Sequence, residues 1–185
     1  MTMTQALLLV DIQNDYFPSG AMALEDMDAA AAKAREALAA FRAKGLPIVH
    51  VQHLSIRPGA TFFVPGTKGV EINEAVRPAP GEPVVQKNFP NSFRGTALET
   101  LLREKGVDSL LIAGAMSHMC IDATTRAAFD LGFACTVLDD ACATRDLAFK
   151  GKPVPAAAVH ASFMAALAVP YAKVMPTADA LAGIR

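Results

Sequence analysis

Three side chains with complementary chemistry follow apolar runs of this chain. Asp11 comes directly after LLLV, Lys87 after VVQ, and Cys120 shortly after SLLIAGA. A carboxylate can take the proton of a thiol, an ammonium can stabilise negative charge, and a thiolate can form an acyl-enzyme. Each has an ordinary alternative as a turn residue, a surface lysine or a core cysteine, but the combination indicates hydrolysis through a covalent intermediate.

Cys120 is the predicted nucleophile. It follows the turn MSHM and opens the predicted helix IDATTRAAFDLG. A helix N-terminus favours the thiolate, so we expect a depressed thiol pKa, and its N–H groups could form an oxyanion hole. Cys135 lies within a predicted strand and is expected to be inert. Cys142 is a competing nucleophile beyond a strand end, which the neighbouring Asp139 and Asp140 should weaken by raising its pKa.

Short apolar runs alternate with longer amphipathic segments along the whole chain. Continuous hydrophobicity in the short runs favours parallel strands buried on both faces. The predicted strands are 6–10, 47–52, 84–86, 109–115, 134–139 and 172–175, and the predicted helices are 28–44, 96–106, 120–131 and 154–168, with a short helix after Pro176. We therefore predict one α/β domain over residues 1–185, a three-layer doubly wound six-stranded parallel sheet with helices on both faces. Ligands bind at the carboxyl ends of such strands.

Two segments interrupt this alternation. Residues 53–83 are rich in proline and glycine and carry Phe62 and Phe63. A loop of this length in a compact domain is typical of a lid or binding loop. Residues 145–153 form a second, shorter insertion of mixed charge.

The composition excludes several partner classes. With 52% hydrophobic residues, 19% charged residues and a net charge of −1, nothing suits a nucleic acid or an anionic membrane surface. No apolar run reaches the roughly 20 residues that cross a bilayer, and a signal peptide is not expected. The 3 cysteines lack CxxC spacing, which favours a reducing cytoplasm. The apolar composition also suggests that another subunit covers part of the surface, as it would in a homodimer or homotetramer.

Four segments carry a resemblance to a known family, namely LLLVDIQNDYF (7–17), VVQKNFPNSFRGT (84–96), GAMSHMCIDATTRAAFDLGF (114–133) and DDACAT (139–144). In this order they resemble the isochorismatase-like cysteine hydrolases, which include nicotinamidases, N-carbamoylsarcosine amidase and ureidoacrylate amidohydrolases. The resemblance implies strand order 3-2-1-4-5-6 and a catalytic triad of Asp11, Lys87 and Cys120. It also implies an oxyanion hole from the backbone N–H groups of Met116 and Cys120, beside a cis peptide bond between Ala115 and Met116.

Departures from better-known family members narrow the function. Nicotinamidases hold a metal with an Asp-x-His cluster and a further histidine after the second strand, whereas this chain reads HVQHLSIRPG there. No carboxylate stands beside His50 or His53 in the sequence, so we expect no metal and no cofactor, and a buried, hydrogen-bonded role for His50. Isochorismatases can act with a small residue at the nucleophile position, so the cysteine kept here favours acyl transfer from an amide, ureido or imide carbon.

Several side chains could line a small-molecule pocket. The predicted substrate-binding residues are Tyr16, Phe17, Phe63, Phe93 and Met119. His118 is expected to hold the turn before Cys120, while Arg94 could bind a substrate carboxylate or simply face solvent. His53 could also line the pocket.

Other functions remain open at this point. A nucleotide-binding module would share the fold, but no glycine-rich phosphate motif follows any strand. A redox sensor would need a resolving cysteine close to Cys120. Two alternatives remain within the family. The protein could be an isochorismatase-type hydrolase of a non-amide substrate, or a catalytically inactive member that only binds a small molecule. The sequence does not identify the substrate.

Overall fold

Six of the strands form one parallel sheet in this computed structural model, which describes residues 4–184. The sheet order is β3-β2-β1-β4-β5-β8, which confirms the predicted doubly wound arrangement. The strands of the chain are β1 (Gln5–Val10), β2 (Ile48–His53), β3 (Val84–Lys87), β4 (Ser109–Ala115), β5 (Ala134–Ala143), β6 (Leu147–Phe149), β7 (Lys152–Val154) and β8 (Lys173–Met175). The sixth strand of the sheet is β8 because the insertion at 145–153 forms the antiparallel hairpin β6–β7.

Helices cover both faces of the sheet. They are α1 (Met27–Ala43), α2 (Leu98–Glu104), α3 (Asp122–Asp130), α4 (Ala156–Leu167) and α5 (Thr177–Ala182). Side chains of β1 alternate between two apolar clusters: Leu7 and Leu9 pack with α1, and Leu8 packs with α2, α3 and α4. This alternation follows from the two-residue period of a strand and buries β1 from Ala6 to Val10.

Most boundaries differ from the predicted ones by one or two residues, and two of the differences bear on the candidate site. β5 runs to Ala143 instead of ending near 139, because its register with β4 shifts after the pair of Ile112 and Val137 and the pairing resumes with Gly114 opposite Cys142. Cys142 therefore lies inside a strand and not beyond its end. The helix predicted to start at Cys120 starts at Asp122, and a π-helical turn (Ser117–Ile121) precedes it.

No helix among residues 4–184 combines the length and apolar character needed to cross a membrane.

Candidate active site

The ends of β1 and β4 approach each other closely at the carboxyl edge of the sheet. Gly114 has a φ of +133°, and a Cβ at this position would overlap the carbonyl oxygen of Val10. Asp11 follows Val10 with a φ of +54°, a left-handed conformation that aspartate tolerates better than most residues. The peptide bond between Ala115 and Met116 is cis. The close approach of β1 and β4 places Asp11 next to the turn that carries Cys120.

Asp11 and Lys87 form a buried ion pair. Lys87 Nζ lies 2.8 Å from Asp11 Oδ2, and neither side chain is exposed to solvent. The same ammonium donates a hydrogen bond to the carbonyl oxygen of Pro90 at 3.0 Å. Asp11 Oδ1 has no hydrogen-bond partner in the described part of the chain. One carboxylate oxygen is thus held by the lysine, and the other is available as a proton acceptor.

The ion pair keeps both groups charged despite their burial. Burial disfavours the Asp11 carboxylate, but the Lys87 ammonium and the His53 ring outweigh it and hold the pKa of Asp11 below its ordinary value. Burial likewise disfavours the ammonium, but the negative charge of Asp11 raises the pKa of Lys87 above its ordinary value. The site therefore contains a fixed carboxylate beside a fixed ammonium.

Cys120 lies in the π-helical turn with 1% of its surface exposed. Burial, and next the Asp11 carboxylate, raise the pKa of the Cys120 thiol above its ordinary value, although Lys87 opposes them. The expected depressed pKa is therefore wrong. The reason is that Cys120 precedes the first turn of α3 and faces a buried carboxylate, so loss of water and charge repulsion outweigh the helix N-terminus.

His53, which the sequence offered only as a residue that could line the pocket, contacts the catalytic candidates themselves. It ends β2, and its Nδ1 lies 3.8 Å from Asp11 Oδ2 and 4.0 Å from Cys120 Sγ. The expectation that no carboxylate stands near His50 or His53 is wrong in the fold. Asp11 faces His53, and Glu82 lies 2.9 Å from His50 Nε2. Buried His50 is hydrogen-bonded as predicted. Position at a strand end was the available signal for His53.

A cation could contact three donor atoms of this group. Ligand atoms of Asp11, His53 and Cys120 all lie within 4.8 Å of one another. The Lys87 ammonium, however, already occupies Asp11 Oδ2 at 2.8 Å. A cation would therefore compete with the buried Lys87 ammonium for the Asp11 carboxylate, and these three donors suit a metal poorly.

An aromatic group packs against His53. The ring centroids of Tyr16 and Phe63 are 4.6 Å apart, and those of Phe63 and His53 are 5.8 Å apart. Burial raises the pKa of Tyr16 well above its ordinary value, and the neighbouring Cys120 and Asp11 add to this effect. Two of the predicted substrate-binding residues thus lie beside the candidate active site.

The other three predicted substrate-binding residues differ in their surroundings. Phe17 lines a separate depression of about 250 Å³ beside α1. The Phe93 ring stacks on Phe133 with centroids 6.0 Å apart and packs against the core beneath α2 and α3. The structure does not bring these two rings to His53. Met119 lies in the Cys120 turn with 38% of its surface exposed, and its contact with substrate stays a prediction.

The segment after β1 anchors the long loop between β2 and β3. Gln13 is buried, and its Nε2 donates to the carbonyl oxygens of His53 at 2.9 Å and Val70 at 2.7 Å. Asp15 accepts a hydrogen bond from Ala21 N–H at 3.2 Å and another from Phe63 N–H at 2.6 Å. The loop is therefore held over the site.

The remaining candidates have structural surroundings. His118 Nδ1 lies 2.6 Å from Thr144 Oγ1, which holds the Cys120 turn as expected. The Arg94 guanidinium lies 3.7 Å from the centroid of the Phe89 ring. Cys135 and Cys142 are buried, and burial raises the pKa of each thiol to about 12. For Cys142 the carboxylates of Asp139 and Asp140 add to this effect in the expected direction.

Comparison with known proteins identifies the family. The isochorismatase domain model matches residues 5–179. The chain belongs to the isochorismatase family. An isochorismatase family protein of Bacillus subtilis, YddQ, is 53% identical over 175 residues, which are 95% of this chain and 97% of that protein. A crystal structure of an isochorismatase hydrolase from Oleispira antarctica superposes with a TM-score of 0.94 at 49% identity and covers 99% of this chain and 100% of its own.

Relatives within the isochorismatase family include named hydrolases. A streptothricin hydrolase of Streptomyces noursei is 40% identical over 143 residues, which are 77% of this chain and 51% of that enzyme. A ureidoacrylate amidohydrolase of Stutzerimonas stutzeri is 27% identical over 169 residues, which are 74% of this chain and 68% of that enzyme. The protein is an isochorismatase-family hydrolase, and these relatives do not determine its substrate.

Proposed function

We propose that the protein is a cysteine hydrolase that cleaves an amide, ureido or imide C–N bond of a small molecule through a thioester on Cys120. The carrying observation is the fully buried pair of Asp11 and Lys87, 2.8 Å apart, beside a buried thiol. A carboxylate, an ammonium and a thiol together supply a base, a positive charge and a nucleophile. Similarity to hydrolases and to an amidohydrolase supports the C–N bond as the target.

The pKa directions define how acylation would begin. The thiol of Cys120 has a raised pKa and the carboxylate of Asp11 a lowered one, so the resting site holds a thiol and a carboxylate. Transfer of the proton alone would be unfavourable. Transfer of the Cys120 proton to Asp11 becomes favourable when Sγ attacks the substrate carbonyl carbon at the same time, because the negative charge then passes from sulfur to the carbonyl oxygen. The N–H groups of Met116 and Cys120 are the proposed donors to that oxygen.

The proposed reaction consists of acylation of Cys120 followed by hydrolysis of the thioester. Cys120 Sγ bonds to the carbonyl carbon while its proton passes to Asp11. The tetrahedral intermediate collapses, the C–N bond breaks, and the same proton passes from Asp11 to the leaving nitrogen. Water attacks the resulting thioester, the C–S bond breaks, and the thiol regains a proton as the acid product leaves. Lys87 stays protonated throughout and stabilises the negative charge of this group.

A release assay tests the proposal. Purified protein would be incubated with a panel of amides, carbamoyl amino acids, biuret-like compounds and imides, and ammonia or amine release would be measured. We expect at least one compound to turn over, with loss of turnover in Cys120→Ser and retention in the matched control Cys135→Ser, whose thiol is buried within β5. Equal turnover in both variants would contradict a nucleophilic Cys120. Turnover confined to a vinyl ether would favour a non-amide hydrolase.

A further inference from the structure

His53 differs from the other charged or nucleophilic groups of the site in its access to solvent. Asp11, Lys87 and Cys120 are at most 1% exposed, whereas the His53 side chain is 14% exposed. A water molecule that enters the site would therefore meet His53 before it meets Asp11. The remaining question is whether the imidazole is held well enough to act on that water.

The His53 backbone is fixed by the amide of Gln13. Gln13 Oε1 accepts from His53 N–H at 2.7 Å, and Gln13 Nε2 donates to the His53 carbonyl oxygen at 2.9 Å. The Phe63 ring packs beside the imidazole with centroids 5.8 Å apart. Both peptide groups of His53 are thus bound without use of its side chain. This arrangement fixes the residue and leaves the ring nitrogens available for chemistry.

The position of Nδ1 suits transfer between a water and the sulfur. It lies 4.0 Å from Cys120 Sγ and 3.8 Å from Asp11 Oδ2. The second distance is longer than an ordinary direct N–H···O hydrogen bond, so the carboxylate acts on Nδ1 mainly through its charge and leaves room for a water. The Asp11 carboxylate is nevertheless close enough to stabilise a positive charge on the imidazole.

We propose that His53 is the general base for hydrolysis of the acyl-enzyme, a role that rests on the proposed function. In the neutral ring Nδ1 accepts a proton from water as the water oxygen bonds to the thioester carbon. The imidazolium is stabilised by Asp11. When the C–S bond breaks, Nδ1 returns the proton to Cys120 Sγ, and the acid product leaves. Asp11 then serves acylation, and His53 serves deacylation.

An activated ester separates these two steps. p-Nitrophenyl acetate releases a stable phenolate that needs no proton, so acetylation of Cys120 does not depend on an acid that protonates the leaving group. His53→Asn places an amide where Nδ1 stood, which can donate a hydrogen bond but cannot act as a base. We expect this variant to give a burst of about one phenolate per protein and then turn over about 10²–10⁴-fold more slowly than the unsubstituted protein.

Two further readouts distinguish chemistry from a merely structural effect. Peptide mass spectrometry should show acetyl on Cys120 persisting in His53→Asn and clearing in the unsubstituted protein. Neutral hydroxylamine, which attacks thioesters without a base, should restore clearance in the variant. Thermal unfolding would establish that the variant folds, and His53→Gln provides a second substitution with the same missing base.

The outcomes are separable. Clearance of acetyl from His53→Asn at the rate of the unsubstituted protein would overturn the role of His53 and leave the proposed function intact. A slow variant that shows neither a burst nor an acetyl on Cys120, while unsubstituted protein quenched in acid during turnover does carry that acetyl, would also overturn it. Absence of acetyl from Cys120 in every protein would count against Cys120 as the nucleophile, and hence against the proposed function itself.

Discussion

Replacement of Asp11 by asparagine should affect catalysis and stability by separate mechanisms. The substitution removes the proposed proton acceptor, which typically costs about 10²–10⁴-fold in rate. It also leaves the Lys87 ammonium, 1% exposed, without its counter-charge at 2.8 Å. Removal of one partner of a buried ion pair costs about 3–5 kcal/mol. For a chain of this size each kcal/mol lowers the unfolding midpoint by roughly 2–4 °C, so we expect a decrease of roughly 6–20 °C.

A double variant separates the two effects. In Asp11→Asn/Lys87→Met both charges are gone, and replacement of a buried ion pair by uncharged groups of similar volume is often nearly neutral. The double variant should therefore regain most of the lost thermal stability, measured by differential scanning calorimetry, while ammonia release stays at background. Recovery of turnover in the double variant would refute Asp11 as the base. An unchanged midpoint in the single variant would refute the energetic coupling of Asp11 to Lys87.

Three more predictions concern metal, the loop and acid stability. Dialysis against a strong chelator should leave turnover unchanged, and a large loss reversed by zinc or iron would contradict a metal-independent site. Asp15→Asn should lower the free energy of unfolding by about 2 kcal/mol and raise KM more than it lowers kcat. The reason is that Asp15 binds the Phe63 N–H and does not contact Cys120. A loss of turnover equal to that of Asp11→Asn would place the base elsewhere. The Arg42 hydrogen bond, with smaller contributions from Ala79 N–H, His50 and the charge of Arg42, lowers the pKa of Glu82 from 4.5 to about 2 despite its partial burial. This contribution to the free energy of unfolding is full above about pH 4.5 and is lost as the pH falls through about 2. Glu82→Gln should therefore lower the free energy of unfolding by up to about 3 kcal/mol at neutral pH and make it depend less on pH between these values. An unchanged dependence on pH in the variant would contradict this role of Glu82.

The sheet could be predicted because its strands are continuous apolar runs. β4 was predicted at 109–115 and lies at Ser109–Ala115, and β1 differs by one residue. Buried parallel strands carry this signal because both faces must be apolar. β5 was predicted too short because Asp139 and Asp140 interrupt its hydrophobicity, although the strand continues to Ala143.

The site could be predicted in its outline and not in its electrostatics. Asp11 and Lys87 could be placed together because the carboxyl ends of parallel strands lie at the same edge of a sheet, where ligands bind. In the structure they lie 2.8 Å apart. The pKa of Cys120 was predicted with the wrong sign because it depends on the depth of burial and on the distance to a carboxylate 109 positions earlier in the numbering. Neither quantity is contained in local sequence.

Contacts between distant segments were also beyond sequence patterns. The Gln13 amide binds the backbone of His53 across a separation of 40 residues. Its partners are peptide groups, which every residue has, so no residue type marks the contact. The proposed role of His53 depends on these two hydrogen bonds, and it could be inferred only from the folded chain.

The central claim is a covalent bond between substrate and Cys120, and its most direct test is the mass of that bond. Protein turning over an amide from the release assay would be quenched in acid and mapped by peptide mass spectrometry. The account predicts an added acyl mass on the peptide that carries Cys120, and on no other cysteine peptide. An acyl mass on Cys142, or sustained turnover by Cys120→Ala without any adduct, would contradict it.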